Sequence, residues 1–358
     1  MKRWLKWLLR FLGLFLLVVG GYLIYVLTAY YRLPAKMSLQ PVANQTTKVK
    51  TNQTYTVQTY NIGYGAYTPK DSFFMDGGTE SKARSVAAVK GNLEGVIKTT
   101  QDNQPDFVFF QEVDRCGQRS RNVDEVAMLT TAFAKTHARV YGQNYDTPYL
   151  FYPVTDPIGA AKSGLVTLSR QKVISAQRYT LPIATDLTKL TDLDRAFTVT
   201  KVAVANGRTL QLINVHLSAF TKDQSIQKAQ FKKLFNYAQT AYQNGDYIII
   251  GGDYNHRLIK DSATVFKTSQ PNLTWTHLFP FTDLPKGFKV PTQGLTQAAI
   301  PSVRGMDQPY TKGKTFVTLV DGFILSPNVQ AKSLHITDTQ FQYSDHNPAV
   351  LKFKLQNK

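Results

Sequence analysis

Cysteine is almost missing from this chain: Cys116 is its single copy among 358 residues. One cysteine excludes an intrachain disulfide framework, and it argues strongly against a zinc site built from cysteines. The redox chemistry of the sequence therefore says nothing about its compartment, which must be inferred from another feature.

Acidic residues are also scarce. The chain has 24 Asp and Glu against 42 Lys and Arg, which gives a formal net charge of +18. The first 54 residues contain eight cations and no acid. A basic chain attracts anionic polymers or surfaces, although many basic chains bind nothing in particular. Charge alone leaves these two interpretations open.

Charge of either sign is missing from residues 11–31, FLGLFLLVVGGYLIYVLTAYY. A run of this length can cross a bilayer core of roughly 30 Å at about 1.5 Å per residue. Four cations precede it in residues 1–10, so the positive-inside rule predicts a cytoplasmic N-terminus and places residues 32–358 outside the cytoplasm. A cleaved signal peptide is the competing interpretation, but a small-x-small cleavage site is poorly matched around Leu27 and Ala29. We predict a retained single-pass anchor in the cell membrane, a signal-anchor followed by a polar tether over residues 32–53.

Residues 54–358 show no internal repeat, and we interpret them as one domain. Residues 222–244 carry apolar side chains at helical spacing, and a second helix is predicted within 81–100. Asn206-Gly207 between two strand-like runs is a type I′ hairpin signal. Helices mixed with antiparallel strands predict an α/β domain with a mixed sheet. The strand-like runs are 54–62, 106–113, 196–205, 209–217, 247–252, 318–325 and 348–355.

Polar groups stand at the ends of these strands, where apolar groups would pack. Taken singly, each has an ordinary structural role, such as a turn cap or a solvated strand end. Their repeated occurrence predicts that neighbouring strands bring them together in one site. These residues are Asn61, Glu112, His216, Asp253, Asn255 and Asp321, with Asp345 and His346 just before the last strand.

The motifs NIGYG, QE after FVFF, NVHLSA, GGDYN, VDGFILS and SDHNP occur in this order. Together they resemble the endonuclease/exonuclease/phosphatase superfamily, which includes DNase I-like nucleases and bacterial sphingomyelinases. The resemblance covers about residues 55–356. It implies a four-layer α/β sandwich, in which two mixed β-sheets face each other with helices outside. It also implies a metal-dependent hydrolase acting on phosphoric ester bonds.

The resemblance further implies roles that suit the chemistry of phosphodiester cleavage. A Mg²⁺ ion (or Mn²⁺) would bind the oxygen ligands that a hard cation prefers. The implied metal ligands are Asn61, Glu112 and Asp345. The implied catalytic residues are Asp253 and Asn255 for the attacking water, His346 oriented by Asp321, and His216 as a second donor or leaving-group acid.

Two departures from the family pattern concern the substrate. Leu319 stands where nucleases of the superfamily often have arginine, and Gly322 stands where an aromatic residue is usual. We therefore favour a phospholipid head group or another small phosphodiester over DNA or RNA. Arg119 and Arg121 are candidate substrate contacts. A DNA or RNA endonuclease or exonuclease is the alternative, and a non-catalytic polyanion-binding protein is the second.

Overall fold

The computed structural model describes residues 2–29, 31–186, 189, 194–219, 224–268 and 276–357. The helices are α1 Arg3–Ala29, α2 Val86–Asn103, α3 Glu125–Ala132, α4 Gln224–Gln243, α5 Ser262–Phe266 and α6 Leu295–Ala298. The strands are β1 Lys36–Leu39, β2 Thr54–Asn61, β3 Phe107–Asp114, β4 Ala138–Leu150, β5 Gly159–Ser169, β6 Val173–Thr180, β7 Ala196–Ala203, β8 Thr209–His216, β9 Tyr247–Asp253, β10 His256–Arg257, β11 His277–Leu278, β12 Val303–Arg304, β13 Val317–Thr318, β14 Asp321–Leu325, β15 Val329–Ile336 and β16 Ala349–Leu355.

Two six-stranded sheets form the centre of the domain. The first has the order β1-β6-β7-β8-β9-β14, and the second has the order β15-β16-β2-β3-β5-β4. Each sheet contains one parallel pair, β8 with β9 in the first and β2 with β3 in the second, and its other pairs are antiparallel. Both sheets are therefore mixed, as the sequence predicts.

Helices cover the outer faces of the two sheets. Phe231 and Leu234 of α4 pack into the same core as Ile249 of the first sheet and Phe109 of the second. On the opposite side, Leu93 of α2 belongs to a cluster that covers the second sheet. Helix, sheet, sheet and helix make four layers, and the predicted four-layer α/β sandwich is confirmed.

The hairpin between β7 and β8 forms, but its turn is not the predicted type I′. That type needs a positive φ at both central residues. Only Gly207, with φ 84°, is in the left-handed region here, and the amide of Gly207 donates to the carbonyl of Val204 at 3.1 Å. The turn is a type I turn followed by a left-handed residue, the arrangement typical of a longer hairpin loop.

Residues 32–53, interpreted from sequence as a tether, lie partly on the domain. Strand β1 pairs antiparallel with the edge strand β6, with Lys36 opposite Tyr179. Leu39 packs against a small cluster that includes Val140 and Val173. A polar segment with alternating apolar residues can add a strand to an open sheet edge, and its low overall hydrophobicity conceals this from composition alone.

Helix α1 is apolar and almost entirely exposed. It has 27 residues, and in its most apolar window only 6% of the residues are buried. A core helix of a soluble protein would be mostly buried, and α1 is not. By its length and composition, α1 could cross a membrane. The helix covers residues 11–29 of the predicted span, and Tyr30 lies outside the described residues.

We expect Gly251→Ala in β9 to lower the free energy of unfolding by about 1–3 kcal/mol, because the added methyl overpacks the core. A Cβ at this position would lie 2.6 Å from the ring of Phe109 and 2.8 Å from that of Phe323. Both rings are fully buried in the core. Urea denaturation of the two proteins checks the difference.

The matched control is Gly91→Ala in α2. No heavy atom lies within 4 Å of the Cβ that would be added there. Alanine is favoured over glycine in a helix by roughly 0.5–1 kcal/mol, so this variant should be as stable as the parent or more stable. Equal losses of stability in the two variants would contradict the packing argument.

Candidate active site

A cavity of ≈ 180 Å³ opens where the two parallel strand pairs end. In the first sheet, the register places His216 of β8 beside Asp253 of β9, and Asp253 opposite Asp321 of β14. In the second sheet, Asn61 ends β2 beside Gln111 of β3. The predicted residues that line the cavity are Glu112, Arg119, His216, Asp253, Asn255, Asp345 and His346.

Glu112 is directed to the site by an irregularity in β3. The pairing of β3 with β5 shifts register between Phe110 and Val113, and Glu112 has a φ of +54°. A β-bulge adds a residue to one strand and re-aims a side chain, and such bulges concentrate beside active sites. A positive φ is uncommon for a residue with a side chain, so the fold holds Glu112 in a conformation that it would not otherwise prefer.

Asn61 connects two carboxylates. Its Nδ2 donates to Glu112 Oε1 at 3.1 Å and to Asp253 Oδ2 at 2.9 Å, while its Oδ1 accepts from the amide of Gly63 at 3.0 Å. The amide oxygen thus already has a partner. In this geometry Asn61 fixes the positions of two carboxylates, and its Oδ1 keeps a second lone pair that can ligate a metal ion.

Asp253 lies at the centre of the group. Its Oδ2 is 3.6 Å from His216 Nε2 and 3.7 Å from His346 Nε2. Its Oδ1 accepts from the amide of Asn255 at 2.8 Å, an interaction that the left-handed φ of +50° at Asn255 allows. Burial, followed by repulsion from Asp321, raises the pKa of Asp253 to about 7. A carboxylate with this pKa can accept a proton near neutral pH.

The two histidines of the site differ in charge. Burial lowers the pKa of His216 well below its ordinary value, and the nearby Arg195 adds to the effect. Burial also lowers the pKa of His346, but Asp321 and Asp345 outweigh it and raise that pKa to about 10. The Nδ1–H of His346 donates to Asp321 Oδ2 at 2.8 Å, so the Nε2–H remains to donate to another acceptor. His216 is therefore neutral and His346 is cationic at neutral pH.

Glu112 and Asp345 fit a hard divalent cation. Burial and then repulsion from Asp345 raise the pKa of Glu112, so the two carboxylates are close enough to oppose each other's charge. A cation between them would remove this repulsion, and oxygen donors are what Mg²⁺ and Mn²⁺ prefer.

A second group of acidic and imidazole atoms lies nearby. Ligand atoms of Asp253, Asp321 and His346 all lie within 4.8 Å of one another. His346 and Asp321 are already joined by a hydrogen bond in that group. Glu112 and Asp345 are therefore the better candidates for the metal ligands.

The two candidate substrate arginines are placed differently. Arg119 lines the cavity, but Asp114 binds it at 2.8 Å and its guanidinium stacks 3.9 Å above the ring of Tyr64. Its role in this geometry is to support the cavity wall. Arg121 does not line the cavity, and its Nε donates to the carbonyl of Ala83 at 2.7 Å.

Three charged residues of the cavity are not assigned to the site by the sequence. Asp76, in the 72–85 loop, lines the cavity with a buried Oδ1 that has no partner among the described residues. Burial raises its pKa to about 7. Arg195 and Arg304 also line the cavity, and Arg304 is almost completely buried. Arg195 directly precedes β7, and the start of β7 lies beside the end of the antiparallel β8. This position is a signal in the sequence that could have predicted Arg195 at the site.

Two other positions lie away from the cavity lining. Leu319 occupies the position where nucleases of the superfamily often have arginine. It is fully buried in the core, so this position contributes only packing. His256, which follows the GGDYN motif, bonds through Nδ1 to the carbonyl of Tyr254 at 2.8 Å and meets the ring of Phe231 edge to face. Burial lowers the pKa of His256 to about 4, so it is a neutral packing residue.

We expect Asp321→Asn to lower the pKa of His346 from about 10, because the largest source of the raised pKa is removed while burial remains. Imidazole proton shifts followed against pH by NMR, in metal-free protein with EDTA, check this. His335 lies on β15, outside the cavity lining, and its titration should not change. An unaltered His346 titration would show that Asp321 does not set its charge.

Comparisons with known proteins concern the fold and the family of the chain. A search of curated sequences found no significant match. Among solved structures, an endonuclease/exonuclease/phosphatase from Beutenbergia cavernae DSM 12333 is similar at 14% identity, with 86% of this chain and 72% of that chain covered and a TM-score of 0.57. The human Nocturnin catalytic domain with bound sulfate anion has 15% identity, coverages of 89% and 97%, and a TM-score of 0.55. Truncated Caenorhabditis elegans TDP2 has 14% identity, coverages of 85% and 98%, and a TM-score of 0.53.

These structural similarities show the fold. The family model described as Endonuclease/Exonuclease/phosphatase family matches residues 59–346, which is most of the chain. The resemblance found in the sequence is thereby confirmed. The chain belongs to the endonuclease/exonuclease/phosphatase family of metal-dependent phosphoesterase hydrolases.

Proposed function

We propose that this chain is a membrane-anchored, extracytoplasmic phosphodiesterase that requires Mg²⁺ or Mn²⁺ and cleaves a phospholipid head group or another small phosphodiester. The observation that carries the proposal is the position of Asp253, with a neutral and a cationic imidazole within 3.7 Å of its Oδ2. Phosphodiester hydrolysis needs a base for water and donors for the phosphate oxygens, and this group supplies both.

The proposed roles follow from the charges. Asp253 accepts the proton of the attacking water, and Asn255 positions that water or a phosphate oxygen. His346, charged and held by Asp321, donates from Nε2 to the phosphate and then protonates the leaving oxygen. His216 is neutral, so it serves as a hydrogen-bond donor rather than as the acid. A divalent ion held by Asn61, Glu112 and Asp345 would neutralise the charge that develops on phosphate.

The walls of the cavity favour a small substrate over a duplex. Apolar side chains line part of the cavity, among them Tyr67, Phe73, Ile158 and Met306. Arg195 lowers the pKa of His216 and lines the same cavity, so it is close enough to bind a phosphate oxygen there. An apolar wall beside a phosphate site fits a substrate with a polar head and an apolar neighbour.

Anchoring by α1 is part of the proposal. Its apolar residues are exposed along nearly the whole helix, and they need an apolar environment of the kind that a membrane provides. Lys2, Arg3, Lys6 and Arg10 favour a cytoplasmic N-terminus. This arrangement places the cavity on the extracytoplasmic side.

Cleavage of DNA or RNA is the alternative within the family. A structure of D. rerio TDP2, which has the same fold, is complexed with single strand DNA product. The strong positive charge of the present chain is compatible with such a polymer. A tethered, non-catalytic polyanion-binding protein is the second alternative, and the retained arrangement around Asp253 argues against it.

We expect Asp253→Asn to reduce turnover of bis(p-nitrophenyl) phosphate by about 10²–10⁴-fold, because the amide cannot accept the proton of water. The full chain in detergent micelles is assayed at saturating Mg²⁺. Asp102→Asn is the matched control, since this carboxylate is 63% exposed on α2. EDTA should abolish turnover and added Mg²⁺ or Mn²⁺ should restore it. Near-full activity of Asp253→Asn would overturn the assignment.

Salt dependence separates the two substrate classes. A nuclease releases counterions when it binds, so its affinity for single-stranded DNA would fall steeply between low and moderate salt. A small phosphodiester makes few such contacts, and we expect its KM to change little over the same range. KM measured at several NaCl concentrations for both substrates checks this. Efficient, salt-sensitive DNA cleavage with weak diester cleavage would favour the nuclease.

A further inference from the structure

Aromatic rings connect the cavity with the domain surface. Tyr67 and Phe73 line the cavity, and their ring centroids are 5.7 Å apart. Phe73 contacts Phe74 at 5.0 Å, and Phe74 contacts Tyr152 at 5.6 Å. Tyr152 belongs to the loop 151–158 between β4 and β5 and is 66% exposed. The apolar wall of the cavity therefore continues without interruption onto the outside of the protein.

The same loop contacts helix α1. The ring of Phe151 lies 6.4 Å from that of Tyr22. The hydroxyl of Tyr22 accepts from the amide of Phe151 at 3.1 Å and donates to the carbonyl of Tyr149 at 3.0 Å. The amide of Tyr149 donates to the hydroxyl of Tyr25 at 3.0 Å. The loop is thus attached to α1 within its uncharged run, and not beyond the end of that run.

The surface between these contacts is apolar and uncovered. We call Met75, Phe151, Tyr152 and Val154 the loop patch; they are 57%, 55%, 66% and 71% exposed. Met75 also lines the cavity, so the loop patch reaches its mouth. The one charged residue of the loop 151–158 is Asp156, and Lys82 pairs with it at 2.9 Å. The pair reduces the cost of placing this loop in a weakly polar environment.

We propose that the loop patch inserts into the outer interface of the membrane that α1 crosses, so that the cavity opens onto the bilayer surface. Continuity with α1 identifies lipid as the occupant. Tyr22 and Tyr25 lie in the C-terminal third of α1, on the extracytoplasmic side of Gly21, the middle of the uncharged run. The loop and the end of β4, which contact these tyrosines, therefore lie on the side of the outer leaflet.

The inference rests on the proposed function and narrows its substrate class. A cavity that opens at the lipid surface receives an amphiphilic phosphodiester from the same leaflet. The phosphate reaches Asp253 and the two histidines, while the apolar part of the substrate stays along the rings of Phe73 and Phe74. A soluble diester enters the same cavity without using the loop patch.

Depth-dependent quenching tests this insertion without requiring turnover. Because Cys116 is the only cysteine, Cys116→Ser with Val154→Cys gives one site for a fluorescent label. Val154 is 71% exposed, so the substitution leaves the fold intact. The full chain is placed in vesicles of phosphatidylcholine and phosphatidylglycerol that contain nitroxide-labelled lipid. We expect the nitroxides to quench most of the emission from position 154.

The control label is at Ile174, in the same Cys116→Ser background. Ile174 is also exposed, at 55%, but it lies in β6 shortly after Ser169, which pairs with Ala138 at the far end of β4 from the loop. A label at Ile174→Cys should lose little emission to the nitroxides. Equal and weak quenching at both positions would overturn the inference.

Two further measurements distinguish membrane insertion from self-association and from hydrolysis itself. A label at position 154 that is shielded without nitroxide quenching, together with crosslinking between copies, would assign the loop patch to self-association and overturn membrane insertion. Turnover of bis(p-nitrophenyl) phosphate is measured on the same samples. Quenching at 154 without any turnover would support insertion and refute the proposed hydrolysis, whereas turnover without quenching would do the reverse.

Discussion

The concentration of buried carboxylates in one cavity is the constraint on which the site depends. Asp253 and Asp321 face each other across neighbouring strands, a placement that costs stability when both are charged. His346 remains cationic because these groups surround it, and Asn61 holds Asp253 in place by a hydrogen bond. The raised pKa of Asp253 has its origin in negative charge that is removed from water with too few cations around it, and the same excess of negative charge would favour a divalent ion.

The architecture makes this concentration of charge tolerable. Two sheets provide a large apolar core below the cavity, and the polar residues are confined to the edge where the parallel strands end. Gln111 joins the two sheets just beneath the site, donating to Asn214 at 2.8 Å. The bulge that directs Glu112 toward the cavity lies in the same part of β3, between Phe110 and Val113. The stability of the apolar core offsets the free-energy cost of the strained backbone and buried charges at the site.

The strand ends are well predicted from sequence, and the failures of prediction have physical causes. Strand-terminal polar residues such as His216 and Asp253 meet in one cavity as expected, because period and position in a strand are local properties. Arg304 is missed because it lies in a two-residue strand that forms only through tertiary contacts. Arg195 is missed although its place directly before β7 is a signal, because the prediction considers strand ends and not strand starts. Arg121 is predicted to contact the substrate because its charge can be read from the sequence. The direction of its side chain cannot be read from the sequence. Strand β1 is interpreted as tether for a similar reason: only an open edge at β6 makes it a strand.

The short connection between α1 and β1 has a consequence for how such an enzyme would meet its substrate. Only residues 30–35 separate the end of the helix from the first strand attached to the domain, a length of about 20 Å when extended. The catalytic part would then be unable to sample the bulk medium. Its encounters would take place in two dimensions, with a frequency set by the number of molecules per unit area and by lateral diffusion. Dilution of the surrounding solution would leave that frequency unchanged.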